Sequence, residues 1–574
     1  MKEEVIKKPP VGLAQILAAG EELRRFRRAR AAFDSRVREE EAFFRLRVAP
    51  KGHKNKEGES FAPTSAWMLN TILQKHADMM ENLPTAACLA REPRDEKDAE
   101  ALSAILPVIL ERSEFESTYA DNMWYKLKHG VCAFGVFWNN ELENGLGDID
   151  LRRVELRNLY WQPGVRDIQR SRSVYFTERA DAAAVRARYP HFDGKGADAE
   201  LPGICAADGA DQVLLVDWYY KKRLPSGRTV LHYCKFAGDT VLFASENEEG
   251  YENGWYEHGE YPFVLDVLYP IEGECTGFGI IALARDPQQY IDRMDRNLLE
   301  YMDWATRVRF FCKRSAGVNE QDFADLTKRI VEVEGDIDEE RLRQIRVDDL
   351  DSFWLNLKTA KINELKETTS NRDLLQGTPD GGVTAAAAIA ALQEAGNKTI
   401  RDMVAASYRA FVRTVHLVLE CVRQFYSEAR CFRILGENGG YHYLTWSNAN
   451  ITERVIGTLA DGTPVCRRPV FDIDVRAVKK DPYTRLSQNE TLKDLYRMGV
   501  FKPENAAEAG ILLSAMDIPG IGQLREQVAA QAREALGGIG TAEDRSAPRF
   551  AKTPLEKAVE GAAAMAARAE QALQ

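Results

Sequence analysis

The sequence contains none of the short motifs that mark several common enzyme classes and calcium-binding proteins. Its 574 residues include no GxxxxGK[ST] loop for nucleotide phosphates, no HExxH zinc motif, no GxSxG nucleophile elbow and no EF-hand loop. No apolar run approaches the length of about 18 residues that a membrane-spanning helix needs. The first stretch, MKEEVIKKPPVGLAQ, has no secretory apolar region, so we expect a protein that is made and used inside the cell.

The cysteines are few and isolated. There are nine, with no CxxC pair and no Cys/His cluster at metal-ligand spacing. An odd number of scattered cysteines is typical of reduced, mostly buried thiols rather than of a disulfide framework. The eight histidines also lie far apart, and none has an obvious Ser or Cys partner. We therefore predict no catalytic residue, no metal site and no cofactor.

A surplus of basic side chains is also missing. The chain has 88 acidic and 77 basic side chains, for a formal net charge of -11. A protein that holds DNA tightly by its phosphates normally carries excess Lys and Arg. The acidic balance disfavours a sequence-reading DNA-binding protein and suits a surface past which DNA slides. It is equally typical of ordinary bacterial proteins.

The patterns that are present predict a mixed protein of several units, of class α+β. The chain is long enough for roughly three or four units, and 45% of its residues are hydrophobic. Apolar residues at three- and four-residue spacing predict a charged helix over 11–48 and further helices over 67–84 and 98–130. Residues 131–270 are rich in β-branched and aromatic side chains, which predicts an antiparallel sheet with helices on one side.

The first predicted helix carries a run of arginines that has two interpretations. It is either an arm that faces phosphates or a solvated helix face whose Glu and Arg side chains pair at i,i+4. The arginines are Arg24, Arg25, Arg27, Arg28 and Arg30.

A second long helix, predicted over 284–312, has a one-sided apolar seam. Its apolar or small side chains alternate at spacings of three and four, as in a heptad repeat. One helix cannot bury such a seam alone, so we expect neighbours from this chain or from copies of it. The seam residues are Ile291, Met294, Leu298, Tyr301, Ala305 and Val308.

Three local patterns imitate chemical sites. Residues 277–282, GFGIIA, match the GxGxx(G/A) of dinucleotide-binding folds, but the preceding strand-like run ends at Pro270 and no second strand follows at βαβ distance. A glycine-rich start of a helix is the alternative. Asp348, Asp349 and Asp351 suggest either a two-metal site or solvated and capping carboxylates. The third pattern is the basic-aromatic run RVRFFCKR, which either touches phosphates or joins a helix end to a strand.

The order of these elements and three stretches of sequence carry a resemblance to a known family. Over roughly residues 60–530 the chain resembles the portal proteins of tailed double-stranded DNA bacteriophages, of the large podovirus-like type. QGTPDGGVTAAAAIAALQEAGNKTIRDM is similar to the portal tunnel loop and the helix after it. GVFWNN with LYWQPGVRDIQRSRSVYF is similar to the wing, with WQPG at 161–164 in place of the family's WDPG. GFGIIALARDPQQYIDRMDRNLLEYM is similar to the start of the first stem helix.

The resemblance implies a portal fold with an α/β wing, a helical stem, a small α/β clip and a helical crown, assembled as a ring of about twelve copies. The implied regions are an N-terminal charged helical arm (1–58), the wing (59–283), stem helix 1 (284–312), the clip (313–350), stem helix 2 (351–372), the tunnel loop (373–383), the long helix (384–430), returning wing strands (431–481), crown helices (482–536) and a C-terminal tail (537–574).

The resemblance also implies a function and a set of partners. The subunit would form the channel for packaging and ejection of double-stranded DNA at a single capsid vertex of the virion, after assembly in the host bacterial cytoplasm and without a membrane. Its partners would be the terminase large subunit, the major capsid and scaffolding proteins and a tail or neck adaptor. The alternatives are another oligomeric head or neck protein and a dinucleotide-dependent enzyme.

Two groups of residues follow from the resemblance. The tunnel loop would project into the channel, with glycines that allow positive φ and a proline that stiffens one limb. The residues of the loop are Gln376, Gly377, Thr378, Pro379, Asp380, Gly381 and Gly382. The candidate contacts to DNA or to an adaptor are Arg307, Arg309, Lys313 and Arg314.

Overall fold

A computed structural model of the chain describes residues 10–48, 65–192, 212–225, 227–306, 309–312, 321, 342–345, 351–370, 398–435, 441–458 and 464–479. The chain divides into two units, of which the first comprises Met1–Ile434 and Tyr441–Asp481. Every described residue except Leu435 belongs to this first unit. The predicted crown (482–536) and C-terminal tail (537–574) lie outside the described residues.

The helices and strands occur largely in separate runs, as in an α+β fold. The helices are α1 (Leu13–Val48), α2 (Trp67–Glu81), α3 (Glu96–Arg112), α4 (Phe115–His129), α5 (Ala182–Arg188), α6 (Ile280–Thr306), α7 (Ser352–Thr368) and α8 (Lys398–Phe425). The strands up to α6 are β1 (Asn82–Ala90), β2 (Val131–Asn139), β3 (Asp148–Val154), β4 (Leu159–Trp161), β5 (Ser173–Asp181), β6 (Gln212–Arg223), β7 (Thr229–Ala237), β8 (Thr240–Ala244), β9 (Phe263–Val267), β10 (Tyr269–Pro270) and β11 (Gly277–Phe278). The later strands are β12 (Arg309–Cys312), β13 (Leu342–Ile345), β14 (Arg430–Leu435), β15 (Tyr441–Trp446), β16 (Arg454–Thr458), β17 (Pro464–Arg467) and β18 (Phe471–Lys479).

The largest sheet is antiparallel and has helices on both faces. Its strand order is β4-β5-β6-β7-β8. Alternate residues of β6 point to opposite faces, so Val213 and Leu215 pack with the small helix α5 while Val216 packs with Leu23 and Phe26 of α1. The prediction of helices on one side of the sheet is therefore wrong for this sheet. Helix α1 comes from a distant part of the sequence, and its apolar stripe covers the face that sequence pattern left unassigned.

The main core lies between a three-stranded antiparallel sheet, of order β3-β2-β9, and helices α4 and α8. Strand β2 is buried along most of its length, as its VCAFGVF sequence predicts. Phe115 of α4 packs against Phe134 of β2 at a ring-centroid distance of 6.3 Å, and Phe425 of α8 stacks with Trp138 of β2 at 4.7 Å. Aromatic packing thus joins both helices to the sheet.

The sequence pattern did not predict strand β1 or its pairing with a later strand. The pattern predicts helix through residue 84, but α2 ends at Glu81 and Asn82–Ala90 forms an antiparallel ladder with Phe471–Lys479. The segment NLPTAACLA contains a proline and small residues with weak β propensity. Its partner strand lies several hundred residues later, so tertiary pairing overrides the local preference.

The ends of the long central helices also differ from the prediction. A helix is predicted through residue 312, but α6 ends at Thr306 and Arg309–Cys312 pairs antiparallel with Leu342–Ile345. The sequence RFFC is aromatic and suits a strand, so the interpretation of this run as a helix end that joins a strand is confirmed. Of the long helix predicted over 384–430, the described part is α8, which ends at Phe425, and Arg430 already belongs to strand β14.

Candidate functional site

Helix α6 begins in the core at a close crossing of backbones. An added Cβ on Gly277 would lie 2.3 Å from the Tyr269 oxygen, and one on Gly279 would lie 2.3 Å from the Lys128 oxygen. Gly130, at φ 83°, faces the Phe278 backbone in the same crossing. The glycines of the GxG pattern therefore pack against protein backbone and leave no room for a dinucleotide pyrophosphate. The glycine-rich start of a helix is the interpretation that this geometry supports.

The first half of α6 is anchored in the core. Ile280, Ile281 and Ala284 are completely buried, and so is the side chain of Gln288. The Gln288 amide donates to the Ser65 carbonyl at 3.1 Å, and its carbonyl oxygen accepts from the Met68 backbone N–H at 3.0 Å. These bonds tie α6 to the start of helix α2.

The second half of α6 leaves the core and packs beside α7. Within the predicted seam, exposure rises along the helix. Ile291 is completely buried, Met294, Leu298 and Tyr301 are half-buried, and Ala305 is exposed. Val308 lies outside the described residues.

Polar contacts join α6 to α7. Lys358 forms an ion pair with Asp295, and the Lys361 ammonium lies 5.4 Å from the centroid of the Tyr290 ring. Asp351 caps the N-terminus of α7, because its carboxylate accepts from the Phe353 backbone N–H at 3.2 Å. Capping is thus the role of Asp351, as one of the two interpretations predicts, while Asp348 and Asp349 lie outside the described residues.

Large apolar side chains remain exposed on this helix pair. Trp354 is 50% exposed and Phe353 58%, although both are large and strongly hydrophobic. Several exposed apolar side chains of this size on one helix pair indicate a candidate interaction surface. The group, named here the α6–α7 apolar surface, consists of Leu299, Met302, Phe353, Trp354 and Leu355.

Helix α8 is fixed to the core by a buried polar cluster. The Lys126 ammonium of α4 lies 2.7 Å from the Asp266 carboxylate of β9 and donates to the Ser407 hydroxyl of α8 at 2.7 Å. All three side chains are at most 2% exposed. Burial also raises the pKa of the nearby Tyr119, so its hydroxyl stays neutral. No sequence motif marks this cluster, although Lys126 lies on the same helix stripe as Tyr119 and Met123, which indicates that it is buried.

The arginine run of α1 is divided between two roles. Arg30 turns inward, where its guanidinium donates to the Leu156 and Leu159 carbonyl oxygens and pairs with Asp34 at 3.3 Å. Arg24 and Arg28 are exposed. Neither interpretation of the run, a phosphate-facing arm or a solvated face, therefore holds for Arg30.

Most of the other predicted site residues lie outside the part of the chain that the structure describes. The whole tunnel loop, with Gln376, Gly377, Thr378, Pro379, Asp380, Gly381 and Gly382, lies outside the described residues, as do Arg307, Lys313 and Arg314. Arg309 lies in strand β12, opposite Ile345. Among the residues that the structure describes, no group of three His, Cys, Asp or Glu side chains is placed to hold a metal ion. None of the helices in this part of the chain combines the length and the apolar character needed to cross a bilayer.

Comparison with known families matches this chain to one model, described as phage P22-like portal protein, over residues 69–574. The match covers far more than half of the 574 residues. The chain belongs to the phage P22-like portal protein family. No curated protein sequence matches it. Portal proteins are structural components of the phage virion, located at a capsid vertex, and act in genome packaging and as head–tail connectors. The resemblance found in the sequence is confirmed at this level, and so is the mixed α+β class.

Proposed function

We propose that the chain is the subunit of a ring at a single capsid vertex, with about twelve copies around a channel for double-stranded DNA. The observation that carries this proposal is the family match over residues 69–574. In this proposal the ring is assembled in the host bacterial cytoplasm with the major capsid and scaffolding proteins. It docks the terminase large subunit during packaging and a tail or neck adaptor afterwards.

The α6–α7 apolar surface supports assembly with copies of the same chain. Its large side chains are about half exposed on the single subunit, and helix α6 leaves the core at the point where this surface begins. Copies arranged around an axis would cover the surface on each subunit by the same contact, and such a head-to-tail contact closes into a ring. The seam residues Met294, Leu298 and Tyr301 lie on the same helix.

The regional roles remain proposals for this chain. The clip (313–350) would face the motor and the adaptor, the tunnel loop (373–383) would project into the channel, and the crown (482–536) would extend the channel. Arg307, Arg309, Lys313 and Arg314 would contact DNA or the adaptor. The net charge of -11 suits a channel past which DNA slides, because few uncompensated cations would hold its phosphates.

Mass measurement and co-purification test this proposal. Native mass spectrometry of the purified full-length chain should find a closed oligomer near twelve times the subunit mass of 64.7 kDa. The oligomer should capture the terminase large subunit encoded by the same genome, which another head or neck protein would not do. A single 64.7 kDa species at every protein concentration, with no capture, would contradict the proposal.

A further inference from the structure

A cleft on the described unit carries a local positive charge that the whole chain does not. The cleft has a volume of about 480 Å³ and lies between helices α1 and α4 and the end of strand β3. Its cations outnumber its carboxylates by three, whereas the chain has a net charge of -11. The charged side chains that line it are Arg38, Arg45, Lys128, Arg153 and Arg157, with Glu41 and Glu155.

The two carboxylates of this cleft are already engaged. The Glu41 carboxylate lies 2.7 Å from the Lys128 ammonium and accepts from Arg45 at 3.1 Å. The His129 ring, whose Nε2 lies 3.5 Å from the carboxylate, is the largest of the effects that hold the pKa of Glu41 well below its usual range, so this group stays ionised. Glu155 lies 3.9 Å from Arg153. Internal pairing therefore leaves the excess positive charge in place.

One cation of the cleft is available to a ligand. Arg38 is exposed on α1 and makes no hydrogen bond or ion pair within the part of the chain that the structure describes. An unoccupied guanidinium presents a planar fork of donors, which binds phosphate through two parallel hydrogen bonds.

Aromatic rings hold two other cations in position. Arg153 lies 5.7 Å and Lys128 5.9 Å from the centroid of the Tyr125 ring, and Lys128 also lies 4.9 Å from the Phe44 ring. Cations that already lie over rings lose less conformational freedom when a ligand arrives. The cleft is thus partly organised for an anion before it binds one.

A second, smaller cleft continues the first. Its volume is about 160 Å³, and it shares Glu155 and Arg157 with the larger cleft. It adds Arg179 and Glu178 from strand β5, together with the polar side chain of Thr177. Arginines therefore line both adjoining clefts, although in the smaller one Glu155 and Glu178 balance Arg157 and Arg179, so the excess positive charge lies in the larger cleft. A ligand longer than a single phosphate would reach both clefts.

We propose that these two clefts bind phosphate groups, and that their ligand is the phosphodiester backbone of nucleic acid. Four of the five cations of the larger cleft are arginines, whose planar donor forks suit phosphate and nucleic-acid recognition. An acidic peptide is an outcome of the test. Free phosphate would bind through the same hydrogen bonds, and the experiment below distinguishes it from nucleic acid. The clefts use none of the residues of the α6–α7 apolar surface, so this proposal and the ring proposal can fail independently.

The test is binding of a fluorescein-labelled 20-base-pair DNA duplex to the full-length protein, followed by anisotropy at several salt concentrations. Arg38→Gln and Arg153→Gln should each weaken binding by roughly tenfold, the effect of losing one charge-assisted hydrogen bond. Each should reduce the slope of log affinity against log salt by about 0.9. Arg28→Gln is the matched control, because Arg28 is exposed on the same helix and lies outside both clefts. Its binding should not change.

Competition identifies the phosphate source. If millimolar inorganic phosphate displaces the duplex and raises the melting temperature of the wild type but not of Arg38→Gln, the clefts take small phosphates. If phosphate does not compete while Arg38→Gln still weakens DNA binding, the ligand is the nucleic-acid backbone. Equal DNA affinity of Arg38→Gln and Arg28→Gln overturns the proposal. The proposal is also overturned if Arg38→Gln loses binding to a polyglutamate peptide and keeps its DNA binding, which would indicate an acidic protein segment as the ligand.

Discussion

The Lys126 ammonium and the Asp266 carboxylate form an ion pair of 2.7 Å in which neither side chain is more than 1% exposed. Together with Ser407 the pair connects α4, β9 and α8, so it joins the N-terminal half of the unit to the helix that follows the predicted tunnel loop. A buried ion pair costs desolvation energy, and it is retained here between elements far apart in sequence. We infer that this ion pair fixes the position of α8 on the sheet.

Removing one partner of this pair should be strongly destabilising. Asp266→Asn should lower the free energy of unfolding by about 3–5 kcal/mol, because the buried ammonium loses its counter-charge. The double variant Lys126→Met with Asp266→Leu should recover most of that loss. Urea denaturation measures both. Asp472→Asn, which breaks the exposed pair with Arg91, is the control, and a loss for Asp266→Asn no larger than the control's would contradict this account.

The backbone crossing at the start of α6 should not tolerate a side chain. Gly279→Ala should lower the free energy of unfolding by about 2–3 kcal/mol, since its Cβ would lie 2.3 Å from the Lys128 carbonyl oxygen. Gly20→Ala on α1 is the matched control, because no atom lies within 4 Å of an added Cβ there. That variant should gain about 0.5–1 kcal/mol from helix propensity. Equal melting temperatures of the two variants would show that the crossing is not tight.

Local pattern predicts those parts of the fold whose partners lie nearby in sequence. The strands over Val131–Asn139 and Gln212–Arg223 and the helix over Leu13–Val48 follow from their own residues. Strand Asn82–Ala90 does not, because Phe471–Lys479 determines its state. The end of α6 at Thr306 likewise depends on the pairing of the next segment.

A candidate site is likewise predictable from the sequence only where its residues lie close together in the chain. The seam of α6 is visible in the sequence because its residues are evenly spaced along one helix. The phosphate clefts are not, because their cations come from α1, α4, β3, the turn after β3, and β5. No linear motif connects Arg38 with Arg153, and only the folded chain brings them to one surface.

A carboxyl group on α2 should make stability depend on pH. Burial, and secondarily Glu81, raise the pKa of Asp78 to about 6, against the attraction of Lys75. The folded state then holds the proton more tightly than the unfolded state, whose pKa is near 3.8. The stability that this group contributes is present below pH 3.8 and is lost as pH rises through about 6.

Asp78→Asn should remove the decrease in stability that accompanies ionisation of this carboxyl group. It should raise the free energy of unfolding at pH 7 by about 1–2 kcal/mol and flatten the pH dependence between pH 4 and about 6. Thermal unfolding across this range measures the change. Asp121→Asn, which removes the same charge from an exposed position on α4, should not flatten the curve. An Asp78→Asn curve parallel to that of the wild type would contradict the assignment.

The α6–α7 apolar surface should be needed for assembly and not for folding of the subunit. Trp354→Ser should weaken the oligomer by at least tenfold, since burial of a large aromatic side chain in an interface contributes well over 1.4 kcal/mol. The melting temperature of the dissociated subunit should stay the same, because Trp354 is already 50% exposed. Sedimentation velocity separates the two effects. Leu73→Ser on α2, where Leu73 is 47% exposed, is the control and should assemble normally.

The most direct measurement of the central claim is electron microscopy of the purified full-length protein with the rotational symmetry counted. The account predicts closed rings with a central hole, of about twelve subunits, in which the α6–α7 apolar surface lies between neighbouring copies. Particles that remain compact, with no pore and no rotational symmetry at any protein concentration, would contradict it.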